Sequence, residues 1–363
     1  MKKTILVNAY FSNNLGDDLF LKILFDRYPM VDWHLLTPNT KYKETFKQYP
    51  NVNIIRNLNV NILGIRKIDL FHKLNYHLLK FSKYDGLVII GGSIFMEGKN
   101  WRRSLEERKL LPSTFSKFNK KSFIIGANFG PFKDEQFVQY HHDFFLEFED
   151  VCFRDSKSYD LFNDLKNVRS APDVVFNLDN NQTRKKEKSI GFSLINLENR
   201  KELKEYDEIY KRKMIKLVKN KINDGYQIKL FSFCEKEGDL ALANFVKASL
   251  EKKYKDKVEI VNYEGNIHEF LGRFQSCEAI VGTRFHAVIL ALLNNQKLFP
   301  LIYSDKTYNV LLDLDAAENC CFINEMSTLD VSKIVPLPRK LDLETIKNNA
   351  GKQFESLDLF VAP

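Results

Sequence analysis

The chain has 363 residues and a mass of 42.6 kDa, with 44% hydrophobic and 28% charged residues, which excludes a disordered chain, a collagen-like repeat and a disulfide scaffold. A formal charge of +8 admits nucleic acid, an anionic membrane face or small polyanions as partners. Lysines such as Lys211, Lys213, Lys216, Lys219 and Lys221 are scattered over a predicted surface helix without interleaved aromatics, so nucleic acid is not expected.

The opening Met1-Lys2-Lys3 and the apolar Ile5-Leu6-Val7 imitate a signal peptide, but Asn8, Asn13, Asn14, Asp17 and Asp18 follow too soon, and a buried first strand is the expectation. No run approaches the roughly 18 apolar residues of a spanning helix, so a cytoplasmic protein, at most peripheral to a membrane, is expected. Strands are expected at 4–9, 33–37, 52–55, 87–90, 123–127 and 151–153, with helices at 19–28, 70–81, 104–118 and 135–148. The polar stretch 177–188 reads as a linker. Beyond it come strands at 190–194, 228–233, 258–261, 279–281 and 298–302, with helices ending near Gly225, starting at Asp239, and near 268–274 and 287–293. A helical tail covers 341–357.

Apolar runs alternating with helical periodicity define an α/β protein with parallel sheets. The simplest arrangement is two doubly wound, Rossmann-like domains facing across a cleft: 1–180, 187–335, and a C-terminal helical tail at 336–363. Ligands of such sheets bind beyond the carboxyl ends of strands, so the turns there are where chemistry is sought.

The first strand leads into Asn14-Leu15-Gly16-Asp17-Asp18, where one carboxylate suffices to cap a helix and a second is available for hydroxyls or as a base. Gly91-Gly92-Ser93 and Gly126-Ala127-Asn128-Phe129-Gly130-Pro131 are further strand-end turns. Neither is a Walker A loop, and no G-x-G-x-x-G follows the first strand, so P-loop and nicotinamide chemistry lose their usual marks. Arg154 stands directly past an apolar strand, able to grip a carboxylate or phosphate, or to form an ion pair with Asp155 or Asp173.

Gly282-Thr283-Arg284-Phe285-His286-Ala287 brings a guanidinium, an imidazole and helix amides to one strand end, making His286 the best general acid or base among seven histidines. Tyr303-Ser304-Asp305-Lys306 adds a further cation, and Cys234-Glu235-Lys236-Glu237-Gly238-Asp239 adds carboxylates, each more often surface decoration than chemistry. His141 and His142 have no metal-ligand spacing around them and read as solvated. Five cysteines, with Cys320 and Cys321 adjacent and no C-x-x-C, suggest neither disulfides nor zinc but a reducing compartment. No metal is expected.

Taken in order, N-L-G-D-D, G-G-S, G-A-N-F-G-P, C-F-R-D, A-P-D-V-V-F at 171–176 and G-T-R-F-H-A resemble the polysaccharide pyruvyl transferase family over about 8–312. The resemblance implies a GT-B-like fold, phosphoenolpyruvate as donor and a sugar with two suitably spaced hydroxyls as acceptor, without a cofactor. It also implies that Arg154, Arg284 and His286 are donor-site positions. The expected catalytic pair is His286 and Asp17, the latter from the opposite half. Phe285 and Lys306 join Arg154 and Arg284 on phosphoenolpyruvate, and Asn14, Asp18, Ser93 and Asn128 face the acceptor. The expected reaction forms a pyruvate ketal on a vicinal or 4,6-diol in bacterial surface polysaccharide biosynthesis. A lipid-linked or a nucleotide-linked sugar is a plausible acceptor, and a basic surface suits contact with the cytoplasmic membrane face. The G-G-S-I-F turn departs from the family's longer glycine run. Two alternatives stay open: a nucleotide-sugar glycosyltransferase and a catalytically silent sugar- or anion-binding protein.

Overall fold

The computed structural model describes residues 2–55, 83–179, 185–198 and 200–362. The helix expected at 70–81 lies outside them. Two compact units result, one of 1–11, 20–177 and 347–363, the other of 12–19 and 178–346.

The first unit is built on a seven-stranded sheet in the order β3-β2-β1-β4-β5-β6-β7. Its strands are β1 (Thr4–Ala9), β2 (Asp32–Leu36), β3 (Val52–Ile55), β4 (Gly86–Ile90), β5 (Lys121–Ala127), β6 (Asp150–Phe153) and β7 (Val168–Ser170). Every pairing is parallel. Helices on the faces cover both sides, which is why β4, β5 and β6 read as unbroken apolar runs rather than alternating ones. Over β5 and β6 lies an aromatic layer of Phe95, Phe129, Phe137, Phe144, Phe145, Phe153 and Phe162, largely meeting edge to face. His141 belongs to that layer. Contrary to the expectation of a solvated side chain, it is 2% exposed, and its Nδ1 donates to the Phe137 carbonyl at 2.7 Å. The helix Glu135–Phe145 turns Phe137, His141, Phe144 and Phe145 to one face, so the apolar spacing, not the polarity of the residue, decided its place.

The tail packs on this unit. Helix Leu343–Gly351, a 3-10 turn at Lys352–Phe354 and helix Glu355–Val361 follow one another. Asp358 accepts hydrogen bonds from Arg27 Nε, Arg27 Nη2 and the Tyr28 hydroxyl.

The second unit carries a parallel six-stranded sheet in the order β10-β9-β8-β11-β12-β13. The strands are β8 (Glu187–Ser193), β9 (Gln227–Ser232), β10 (Val258–Asn262), β11 (Cys277–Gly282), β12 (Lys297–Ile302) and β13 (Cys321–Phe322). Helix Ile267–Gln275 is amphipathic in the simplest sense, burying Ile267, Phe270, Leu271 and Phe274 at helical spacing. In this sheet the chain order reverses between β8 and β11, which pair side by side. In open parallel sheets the turns leaving the strands at such a reversal form the ligand crevice.

Candidate active site

Leaving β11, the backbone passes through Thr283 and Arg284 before helix Phe285–Leu293 begins. Ser193, the last residue of β8, fixes this turn: its hydroxyl oxygen accepts from the amides of Thr283 and Arg284, each at 3.0 Å. Arg284 caps the helix in extended backbone and sends its guanidinium toward the turn after β9. There Nε donates to Asp239 Oδ2 at 2.9 Å, Nη2 donates to Asp239 Oδ1, and Nη1 donates to Glu237 Oε2 at 2.6 Å. Asp239 is fully buried and also accepts from the amides of Phe233 and Cys234. Burial pushes its carboxyl above the ordinary value, against the pull of Arg284, while the Arg284 guanidinium is held firmly charged by the two carboxylates despite its own burial. The carboxylates of the Cys234–Asp239 segment are thus the anchor of Arg284, not surface decoration. The side chain of Arg284 is 8% exposed, and three of its N–H groups are committed to these partners.

His286 sits in the first turn of the same helix, half-buried, with Phe285 edge-on at 4.9 Å between ring centroids. Its imidazole lies against Gly16: a Cβ built there would fall 2.5 Å from Cγ and 2.6 Å from Cε1. The turn that carries Asn14, Gly16, Asp17 and Asp18 therefore groups with the second unit, although its sequence follows the first strand. The Leu15 amide donates to the Phe233 carbonyl at 3.1 Å, and Asp18 Oδ2 accepts from the Tyr263 hydroxyl at 2.7 Å. Asp17, expected from the half opposite His286, groups by chain segment with the same unit as the imidazole, and helix Leu15–Arg27 begins four residues earlier than its apolar pattern suggests. Asn14, not an aspartate, supplies the start of that helix, its Oδ1 accepting from the Gly16 amide at 3.1 Å. Asp17 is half-buried beside Gly16, whereas Asp18 is 0% exposed.

A second cationic layer surrounds Tyr303, at the end of β12. Lys306, in the first turn of helix Asp305–Asp313, places Nζ 5.5 Å from the centre of the Tyr303 ring, and Arg200 places Cζ 5.2 Å from it. Arg200 Nη2 also donates to Glu237 Oε2 at 2.8 Å, the oxygen that Arg284 uses. Burial works to raise the Tyr303 phenol, but the fields of Lys306, Arg284 and Arg200, with a hydrogen bond from Lys306, bring it below its usual value. Burial likewise raises Glu237, and Arg284 foremost pulls its carboxyl net below the usual range. Sequence reasoning missed Arg200 altogether, and it weighed the turns that carry Glu237, Asp239 and Tyr303 as surface decoration more often than chemistry.

Arg154 lies in the first unit, 3% exposed, just past β6. Of the two ion-pair partners open to it from the sequence it takes Asp173, with Nη1 to Oδ2 at 3.0 Å. Asp155 caps helix Ser156–Asp160 by accepting from the Ser158 amide. Burial pushes the Asp173 carboxyl up, against the opposing charge of Arg154. Arg154 Nη2 donates to Asn128 Oδ1 at 2.6 Å, which also accepts from the Ser93 hydroxyl at 3.1 Å. The guanidinium lies across Gly92, where a Cβ would come 2.7 Å from Cζ, so the glycine is needed for the close approach. Ser93, Asn128 and Arg154 are brought together, but Asn128 is 2% exposed and its oxygen is already shared by two donors. Among the described residues, no grouping of three or more His, Cys, Asp or Glu suits a metal ion, and no helix is long and apolar enough to cross a membrane.

Two parallel-sheet units, each with polar groups at its strand ends, define a GT-B-like α/β protein of the Rossmann-like class. The family model for polysaccharide pyruvyl transferase matches residues 14–305, and the chain belongs to that family, whose members are transferases of polysaccharide biosynthesis. It is 23% identical over 413 aligned residues to the amylovoran biosynthesis protein AmsJ of Erwinia amylovora, across 97% of this chain and 95% of that one. Among solved structures, the UDP-GlcNAc 2-epimerase of Methanocaldococcus jannaschii aligns with a TM-score of 0.61 at 11% identity, covering 99% of this chain and 100% of that one. The glycotransferase of kitacinnamycin aligns with a TM-score of 0.54 at 10% identity, covering 100% of this chain and 96% of that one. These structures share the fold.

Proposed function

We propose that the protein transfers the pyruvyl group of phosphoenolpyruvate to two hydroxyls of a glycan sugar, forming a pyruvate ketal and releasing phosphate. The observation that carries this reading is the packing of the His286 imidazole on the Gly16 turn, with Asp17 next in the chain and the Arg284, Arg200 and Lys306 cations in the same unit. A donor with a carboxylate and a phosphate needs such a positive field, and proton chemistry near neutral pH needs an imidazole. Phe285 supports the ring of His286 edge-on.

In the proposed sequence, protonated His286 gives its proton to C3 of phosphoenolpyruvate. The electron pair of the C2=C3 bond forms the new C–H bond, leaving an oxocarbenium at C2. One acceptor hydroxyl adds to C2 as its proton passes to Asp17. The bond between C2 and the phosphate oxygen then breaks with its electron pair on oxygen. The second hydroxyl closes the ketal and returns a proton to His286, and the proton on Asp17 leaves with phosphate. Asn14 and Asp18 shape the turn that presents Asp17. On the first unit, Arg154, Ser93 and Asn128 are proposed as ligand contacts in their own right.

A cytoplasmic location suits a reaction fed by phosphoenolpyruvate, and a charge of +8 suits acceptors held at an anionic membrane face, such as lipid-linked glycans. Purified protein incubated with phosphoenolpyruvate and a panel of lipid-linked and nucleotide-linked glycans tests the reading. Phosphate release that requires both substrates, with a ketal in the product, is expected. Consumption of a UDP- or GDP-sugar without use of phosphoenolpyruvate would replace it with glycosyl transfer, and tight binding without turnover would replace it with a silent binding protein.

A further inference from the structure

We propose that Arg200, in the turn after β8, is an anion-binding residue that works with Lys306 on the phosphate or carboxylate of the donor, while Arg284 serves as their buried anchor. The assignment rests on the reading of the donor given above. Three observations carry it. Arg200 lies in the loop that follows β8 and Arg284 in the turn that follows β11, and these two strands are neighbours where the order reverses, the place where open parallel sheets bind ligands. Both guanidinium groups converge on one oxygen, Glu237 Oε2, at 2.8 and 2.6 Å, and Arg200 and Lys306 both lie within cation–π range of the Tyr303 ring. The exposures then divide the labour: the Arg284 side chain is 8% exposed and locked bidentate on Asp239, whereas that of Arg200 is 32% exposed and that of Glu237 25%.

The charges point the same way. Arg284 is held by both Asp239 and Glu237, whereas Arg200 shares Glu237 from the more exposed side, so an anionic ligand meets the Arg200 guanidinium before that of Arg284. Arg200 Nη2 already donates to one anionic oxygen, Glu237 Oε2, at 2.8 Å. A planar guanidinium holds its donors in a fixed fork, so lysine should replace it only in part.

The test is calorimetric titration of phosphoenolpyruvate, and separately of inorganic phosphate, into wild-type protein, Arg200→Gln and Arg200→Lys, with thermal melts of each. Loss of one charge-assisted contact corresponds to roughly 10- to 100-fold weaker binding in Arg200→Gln, with Arg200→Lys intermediate and both melting near the wild type. Unchanged affinity in Arg200→Gln while the wild type binds phosphoenolpyruvate would overturn the role of Arg200 and leave the proposed reaction standing. A wild type that binds neither phosphoenolpyruvate nor phosphate would instead overturn the donor reading on which the role depends.

Discussion

The imidazole of His286 rests directly on the Cα of Gly16, close enough that any side chain at position 16 would occupy the space of the ring. Position 16 lies in the first turn of helix Leu15–Arg27, where alanine is the better helix former by up to about 1 kcal/mol. Gly16→Ala should therefore keep the fold and its melting temperature while displacing the imidazole. A misplacement of that kind is expected to lower turnover about 100-fold. Phosphate-release kinetics beside a thermal melt check this, and an active Gly16→Ala enzyme would mean that the ring position does not matter.

Removal of the imidazole itself is the harsher experiment. His286→Ala should lower kcat by about 10²–10⁴, the usual worth of a general acid, with a smaller effect on donor affinity. Equal turnover in wild type and variant would end its assignment as proton donor.

Strand positions were largely legible because parallel strands buried on both faces leave unbroken apolar runs: β1 and β3 begin and end where their runs do. The edge strands β7 and β13 span three and two residues, too short to leave a pattern. The helix after β1 was read as starting late because Asp17 and Asp18 imitate a cap that Asn14 actually provides. At the site, turns that bear an arginine or histidine stand out in the sequence. Their partners do not: Asp239 meets Arg284, and Asp173 meets Arg154, through folding that brings separate strand ends together, and nothing local marks which acidic residue will be chosen. Arg200 follows β8 in a loop without any motif, so only the sheet order reveals its neighbours.

Arg284 and Asp239 form a buried pair whose energetics can be separated from its function. Asp239→Asn should destabilise the second unit by about 3–5 kcal/mol, since it removes the bidentate counter-charge of a buried guanidinium and leaves it Glu237 alone. The double variant Asp239→Leu with Arg284→Met removes both charges and should recover much of that loss in denaturant unfolding, while remaining inactive. A double variant no more stable than Asp239→Asn would show that the pair stabilises by more than mutual neutralisation.

His141 gives the first unit a pH dependence of defined sign. Burial pushes its imidazole down to about 4 from an ordinary value near 6.5. Between those two values the unfolded chain binds a proton that the folded chain does not, so stability is full above pH 6.5 and falls as the pH drops toward 4. Below about 4 this residue adds no further loss. The span amounts to about 3 kcal/mol. His141→Gln should flatten that part of the stability profile, measured by urea midpoints from pH 7 to 4, and an unaltered slope would assign the acid sensitivity to other groups.

Gln353 joins the tail to the strand ends that bear Arg154 and Asp173. Fully buried, it donates through Nε2 to the carbonyls of Phe153, Ala171 and Pro172 at 3.1, 2.7 and 3.2 Å, and accepts through Oε1 from the Gly126 amide at 3.0 Å. Phe153 directly precedes Arg154, and Pro172 directly precedes Asp173, so the amide ties together the backbones on both sides of the ion pair. Gln353→Met preserves the volume but leaves the Gly126 amide and the three carbonyls without this partner. Each buried group so deprived costs about 1–3 kcal/mol, and the variant should lose about 3 kcal/mol or more in denaturant unfolding. Hydrogen exchange separates this cause from a general loosening. Amides of Gly126 and its strand-end neighbours should lose protection before those of β1 and β2, whereas uniform acceleration across the sheet would show that the tail acts by packing alone.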